Sequence, residues 1–389
     1  MDTGELFFYK HYPAWLYRWL GKRKYWKQLK SGLYLIHRFL KKGHYYLSNF
    51  DFINYDLDQS IENLIRCLPA NPHLKFDLRQ YDFDVLVVSG EGSFIFATPA
   101  WRECLVEAMF MRWAEKLGKK VYYLNGMLSD DPYSAHNEKT IEAITPVFQK
   151  ASVIGVREHY SYKYAEQNFP NINLKFYPDA LFSWYDFVND GFDIPDGKYV
   201  VGMSNATNAS FKEFDFTKPY VCSSSVGLAT KDESVTIKAY TKLVKRVKEK
   251  LKMNVYLVEV CEGDEFLKEV SKNTNTPLIP KDTPILAVAK ILSKAKVYIS
   301  GRYHPAIMAS LGGTPCVFMS SNSHKTKSVQ EILEYQDIRE FSVIPSDKEI
   351  DEMVKLAEAR ANDKALRKKI KNRCKYLSEE TKKQKEVLK

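Results

Sequence analysis

The chain has 389 residues, 45% of them hydrophobic and 27% charged, with a formal net charge of +10. This is enough for two domains of ordinary size, each with its own core, and it excludes a globally disordered or fibrous protein. The basic balance favours anionic partners without choosing among them, and six scattered cysteines with no Cys-x-x-Cys pair argue for reduced thiols of a cytoplasmic protein.

Residues 6–48 are aromatic and basic, with Trp15, Trp19 and Trp26 interleaved among Arg18, Lys22, Arg23, Lys24, Lys27 and Lys30. The spacing suits helices, and two readings stay open for residues 1–44. One is a surface helix in peripheral contact with the inner face of the cell membrane. The other is a helical layer packed on the first domain. No apolar stretch precedes a small-residue cleavage site and no apolar run reaches about 18 residues, so neither a signal peptide nor a spanning helix is expected.

From Asp84 short apolar runs alternate with amphipathic stretches. Strands are predicted over 84–89, 120–124 and 152–156, with helices over 103–117 and 138–149. Buried strands separated by helices of this length imply βαβ units and a parallel sheet. Turn formers crowd Asp190–Gly197, which marks a boundary. A second alternation follows, with strands over 199–203, 254–260, 297–300 and 316–319 and helices over 234–251, 283–293 and 305–311. The tail from Asp351 reads as a charged, solvated amphipathic helix. The expected organisation is a helical segment (1–44), a first lobe (45–190), a second lobe (191–345) and a helical tail (346–389). The fold class is α/β, two Rossmann-like lobes facing each other.

Ligands of open parallel sheets bind beyond the carboxyl ends of the strands, so chemistry is expected in those loops. In Val297–Pro305 a strand ends, Gly301 permits a sharp turn and Pro305 suits the first helical position. Arg302 and His304 would then lie in a strand-to-helix loop. Arg302 brings a planar fork for carboxylate or phosphate, and His304 a group that exchanges protons near neutrality. The competing reading pairs Arg302 with a structural acid and makes His304 a helix cap. Gly90-Glu91-Gly92-Ser93 is either a ligand loop presenting N–H groups, with Glu91 a hydroxyl acceptor or base, or a tight turn before a helix. Arg157 follows the strand at 152–156 and pairs either with an anion or with Glu158. His159 reads as a surface histidine. Asp179 and Asp264 read as caps rather than ligand contacts. Ser204 and Asn205 offer polar contacts, and Lys325 is either a second cation or a solvated side chain. No zinc-protease or EF-hand signature and no nucleic-acid module is found, so no metal and no nucleic-acid partner is expected.

Taken in order, Ser89–Ser93, Val156-Arg157-Glu158 with Ser161, Pro178-Asp179, Ala295–His304, Gly313-Thr314-Pro315 and Lys325 resemble the polysaccharide pyruvyltransferase family over about residues 80–335. The family commonly begins with an Asn-x-Gly-Asp loop, for which Asp2-Thr3-Gly4-Glu5 is the only similar string. The resemblance implies a GT-B-like fold with its site in the cleft. It implies transfer of a pyruvyl group from phosphoenolpyruvate to a sugar of a cell-surface polysaccharide or its lipid-linked precursor. A cyclic ketal forms, phosphate leaves, and neither redox cofactor nor metal is needed. It further implies that Arg302 holds the donor carboxylate or phosphate and that His304 is the general acid or base. From their places in the loops, Gly90, Glu91, Gly92, Ser93, Arg157, Ser204, Asn205 and Lys325 are the expected substrate contacts. The alternatives are a GT-B-type glycosyltransferase using a nucleotide-activated sugar, and a non-catalytic glycan-binding relative.

Overall fold

The computed structural model describes residues 52–68, 76–191, 214–226 and 233–388. The expected helical segment 1–44, the strand 199–203, Asp2–Glu5, Ser204 and Asn205 lie outside these. The chain forms two units. The first takes in the described residues up to Val156 together with Tyr162–Lys175, and the second comprises Arg157–Ser161 and Phe176 onward.

In the first unit, β1 (Val85–Ser89), β3 (Lys120–Gly126), β5 (Val153–Val156) and β6 (Leu174–Phe176) form one sheet in that order, and β2 (Phe94–Phe96) pairs with β4 (Leu128–Asp130) in a second. The β1–β3, β3–β5 and β2–β4 pairs are parallel. Helix α1 (Leu57–Cys67) opens with Asp56 accepting from Gln59 N, and it is tied to α2 (Arg102–Lys116) by Asp58 and Arg112 at 2.9 Å. Helix α3 (Glu138–Lys150) follows, and α4 (His159–Asn168) starts in the short segment that belongs to the second unit. Phe94, Tyr123, Phe148 and Phe169 form an aromatic centre, with ring centroids 4.9–5.6 Å apart along the chain of contacts. Offset and edge-on rings at such spacings add to the area they bury.

In the second unit β7 (Tyr220–Val226), β8 (Asn254–Val258), β9 (Leu278–Ile279), β10 (Tyr298–Gly301) and β11 (Cys316–Phe318) form a parallel sheet in the order β11-β10-β7-β8-β9. Both faces are covered. The core on one face brings together α7 (Ile285–Lys294), α8 (Tyr303–Leu311), α9 (Lys325–Ile332) and α11 (Lys364–Lys382). The other brings together α5 (Glu233–Leu251), α6 (Phe266–Thr274) and α10 (Asp347–Asn362). Strand alternation divides the cores, for Tyr298 faces the first and Val297 and Ile299 the second. Among the described residues no helix is long and apolar enough to cross a membrane.

Two parallel α/β sheets are the expected class. The details differ in three places. The chain passes to the second unit at 157–161 and again after 175, ahead of the turn-former cluster at 190. Phe182, Tyr185 and Val188 pack into the second core, which is why the change falls earlier. The tail is two amphipathic helices rather than one, and each packs its apolar face. Helix α10 has a capping box between Ser346 and Glu349, and α11 buries Ile370, Cys374 and Leu377. The first described strand of the second sheet is β7, which the serines of its sequence YVCSSSV hide from a reading by hydrophobicity.

Candidate functional site

The order of the second sheet reverses between β7 and β10, since the chain goes from β7 outward to β9 and then returns to the other side of β7. Loops at the carboxyl ends of the two strands flanking such a reversal are where ligands bind in open α/β sheets. Arg302 follows β10 directly. It is the N-cap of α8, so the expected loop is a single residue, His304 is the second helical residue, and Pro305 is the third rather than the first. Pro305 still costs no hydrogen bond, because the first four helical N–H groups have no intrahelical partner. Gly301 is required for close approach rather than for a turn. A Cβ there would lie 2.7 Å from Val226 Cγ1 and 2.8 Å from the Ser320 carbonyl oxygen.

The Arg302 guanidinium reaches across the reversal. Its Nε donates to Ser225 Oγ at 3.0 Å, and its Nη2 meets Asp264 Oδ1, which also accepts from Ser225. The Ser225 carbonyl and Ser224 engage Ser300 Oγ at 3.1 and 2.8 Å, and Ser300 Oγ accepts from Arg302 N at 2.9 Å. The buried β7 serines are thus a scaffold for one arginine. Asp264 is not a helix cap. Its Oδ2 accepts from Val260 N and Cys261 N, folding the loop after β8 back toward Arg302. Arg302 therefore does pair with a structural acid. Its side chain stays 18% exposed, and Nη1 has no hydrogen-bond partner among the described residues.

His304 and Arg157 come together. Arg157 Nη1 lies 3.0 Å from Asp179 Oδ2 and 3.3 Å from His304 Nε2, which is 3.6 Å from the same Asp179 oxygen. The Arg157 and Asp179 side chains are each 2% exposed, whereas His304 is 38% exposed. Arg157 also lies over the Tyr303 ring, 4.6 Å from its centroid. Burial pushes the Asp179 carboxyl up, but the Arg157 charge, His304 and the Leu181 N–H together hold it below its ordinary value. Asp179 does cap the turn at Ala180–Trp184 through Leu181 N, and it is also the acid of this cluster, a role its place in the sequence does not signal.

Glu158 does not orient Arg157. It is buried against His324, with Oε1 3.0 Å from Nε2, and it takes further hydrogen bonds from Ser161 and from Ser328 Oγ at 3.3 Å. Burial raises its carboxyl, and His324 and Ser161 more than offset this, so it is held below its ordinary value. His324 stacks on Tyr160 at 5.2 Å, and the exposed His159 stacks on Phe176 with Glu331 at 3.7 Å. Lys325 adjoins His324 at the start of α9 and reaches Asn322 Oδ1 at 3.3 Å.

In the first unit Gly90-Glu91-Gly92-Ser93 turns from β1 into the short strand β2 rather than into a helix. Gly90 is dictated by Tyr123, whose Cζ would lie 2.0 Å from an added Cβ. Glu91 is exposed and has a positive φ of 26°, a conformation that side chains other than glycine seldom adopt. Ser93 Oγ lies 2.8 Å from both the Gly90 carbonyl and Glu107 Oε2. Burial is the main cause that pushes the Glu107 carboxyl up to about 7, with Glu103 and Glu91 adding to it against the Ser93 hydrogen bond. Glu107 had no signal in the sequence beyond its place on an amphipathic helix.

Among solved structures, the chain overlays a UDP-GlcNAc 2-epimerase of Methanocaldococcus jannaschii solved with UDP-GlcNAc and UDP, at 11% identity over 83% of this chain and 80% of that one, with a TM-score of 0.49. It overlays a sucrose-phosphate synthase of Thermosynechococcus elongatus at 14% identity, 84% and 79% coverage and a TM-score of 0.45. These overlays are too loose to bear on the chemistry of this chain. No curated protein sequence matches it. The model of one family, described as polysaccharide pyruvyl transferase, matches residues 7–323 and so spans both Arg157 and the Arg302–His304 segment. The chain belongs to the polysaccharide pyruvyl transferase family.

Proposed function

We propose that this protein transfers the pyruvyl group of phosphoenolpyruvate to two hydroxyls of a sugar in a cell-surface polysaccharide or its precursor, forming a ketal and releasing phosphate. The observation that carries this reading is the cluster of Arg157, Asp179 and His304 at the start of α8, one residue beyond Arg302. A donor carrying a carboxylate and a phosphate needs clustered cations, and the helix N-terminus adds unpaired N–H groups and partial positive charge. Arg302, anchored through Nε and Nη2, keeps Nη1 for the donor's anionic end.

His304 supplies the proton. In the resting imidazole Nε2 accepts from Arg157 Nη1 and the proton is on Nδ1; on protonation the new Nε2–H turns to Asp179 in place of that contact, and Nδ1 keeps its proton. The imidazolium gives the Nδ1 proton to the methylene carbon of phosphoenolpyruvate, leaving the central carbon electron-poor. A sugar hydroxyl oxygen bonds to that carbon and its proton returns to Nδ1. The carbon–oxygen bond to phosphate then breaks with its electron pair on phosphate, and the second hydroxyl closes the ketal as its proton passes to solvent. Asp179 fixes the imidazole and offsets its charge in the protonated state. The 3.6 Å separation leaves room for this contact to tighten when substrate arrives.

The test is phosphate release from phosphoenolpyruvate by the purified protein over a panel of soluble and lipid-linked sugars. We expect acceptor-dependent release, and a loss of about 10²–10⁴-fold in His304→Ala, the usual worth of a positioned acid. Release undiminished in His304→Ala removes the assigned centre. Binding of a nucleotide sugar in place of phosphoenolpyruvate removes the donor.

A further inference from the structure

The second unit has another concavity, of about 520 Å³, at the end of the sheet opposite His304. It is built from the segment entering β7, the carboxyl end of α7, the residues before β10, and α11. Lys296 precedes β10 and Arg302 follows it, so six residue steps of near-extended chain, up to about 20 Å, separate the two regions. Six basic side chains line the cavity (Lys218, Lys290, Lys294, Lys296, Arg367 and Lys371), and among the described residues none of its lining is acidic.

Part of this charge has a structural use. Arg367 Nη2 donates to the carbonyls of Ala295 and Lys296 just beyond α7, the latter at 3.1 Å, and Lys290 Nζ donates to the Val188 carbonyl. Lys218 pairs with Asp215 at 3.2 Å. Even with Lys290 and Lys294 set aside, Lys218, Lys296, Arg367 and Lys371 stand against that one carboxylate and the end of α7, worth about half a negative charge. At least two positive charges, roughly, are left over around one hollow. Arg367 is largely buried, and burial without a carboxylate partner lowers its pKa. Such a concentration of like charge is opposed by self-repulsion and relieved by an anion.

We propose that this cavity is a second anion site, separate from the Arg302–His304 centre, that takes a ligand bearing a diphosphate group. The hollow falls in the size range of small-molecule sites, about 300–1,000 Å³, and is far roomier than one phosphate needs. Its cations come from three separate stretches of chain, which suits charge spread over adjoining phosphates. The lysines act as point charges, the manner in which lysine holds phosphate, because the one arginine fork is already committed to carbonyls.

The experiment titrates the full chain with pyrophosphate by calorimetry, beside Lys296→Gln/Lys371→Gln, the charge-keeping Lys296→Arg/Lys371→Arg, and His304→Ala. Lys296 and Lys371 lie outside the candidate catalytic cluster, and the thermal midpoint without pyrophosphate checks that each variant is folded. The glutamine pair is expected to weaken pyrophosphate on the order of ten-fold. The arginine pair and His304→Ala should keep wild-type affinity, and binding should weaken as salt is raised. A second arm sediments the protein with phosphatidylcholine vesicles that carry a polyprenyl diphosphate, against vesicles of phosphatidylcholine alone. Selective sedimentation, reversed by pyrophosphate and lost in the glutamine pair, assigns the site to a lipid-borne diphosphate. Pyrophosphate binding without sedimentation assigns it to a soluble one. Equal affinity in the glutamine pair and the wild type, or affinity lost only in His304→Ala, overturns the proposal.

Discussion

Arg157 and Asp179 show how much a single buried pair can govern. Each is almost wholly removed from solvent, and the two are joined by a 3.0 Å ion pair. Replacing Asp179 by Asn keeps the shape but takes this carboxylate away from the buried Arg157 guanidinium. Breaking a buried pair in this way costs about 3–5 kcal/mol, well beyond a surface pair. The urea midpoint of Asp179→Asn should therefore fall sharply, whereas Asp186→Asn, which loses only an exposed contact to Lys382, should hardly move it. An unchanged midpoint in Asp179→Asn would mean that Arg157 is compensated by something other than this acid. The sequence could not have revealed the pair. Arg157, Arg302 and His304 are legible because each lies just past an apolar strand, a local signal. Their partners stand 22, 38 and 125 residues away, and spacing carries no trace of contacts that the fold alone creates. The Glu158–His324 pair, 166 residues apart, is hidden for the same reason.

Helix α2 makes the stability of the first unit depend on pH. Two of its carboxyls, Glu107 and Glu115, are pushed up to about 7, chiefly by burial. In the unfolded chain both lose their protons near pH 4.3. Between that value and pH 7 the folded state holds protons that the unfolded state has released, so stability falls as pH rises through this window and levels off above it. A tenfold difference in proton affinity between the two states corresponds to roughly 1.4 kcal/mol, an upper bound for side chains that solvent still reaches. The thermal midpoint should drop between pH 5 and pH 8, and Glu107→Gln/Glu115→Gln should flatten the profile and raise the midpoint at pH 8. A wild-type midpoint that rises over this range would refute the assignment. At this scale many elements were legible: β1, β3, β5, β8, β10 and β11 and helices α2, α3, α5, α7 and α8 follow apolar runs and amphipathic spacing, whereas α4 and α6 were not read. Strand β7 was not, because Ser223, Ser224 and Ser225 satisfy their hydroxyls, where paired, through contacts invisible to hydropathy. The two-residue β9 and the three-residue β2, β4 and β6 fall below the length at which alternation can be read.

Chain path ties the two units together in a testable way. The segment Arg157–Ser161 belongs to the second unit although it leaves β5 of the first, and Tyr162–Lys175 returns to the first before the chain commits to the second. A fragment of residues 176–388 therefore keeps Asp179 and His324 but lacks Arg157 and Glu158. Domains are stable by only about 5–15 kcal/mol, and removing one partner of a buried ion pair costs about 3–5 of this. The fragment should thus unfold at a much lower urea concentration than the same region of the whole chain. It should also reverse the sign of one substitution. In the whole chain Asp179→Asn strands a buried cation and destabilises. In the fragment the cation is already gone, so Asp179→Asn removes a stranded anion and stabilises. Urea denaturation of four proteins, the chain and the fragment each with and without the substitution, reads this directly. Loss of stability in both contexts would mean that Asp179 contributes mainly through its cap at Leu181 and the His304 contact, and opposite signs would show that the first crossing of the chain supplies the charge on which the second core depends.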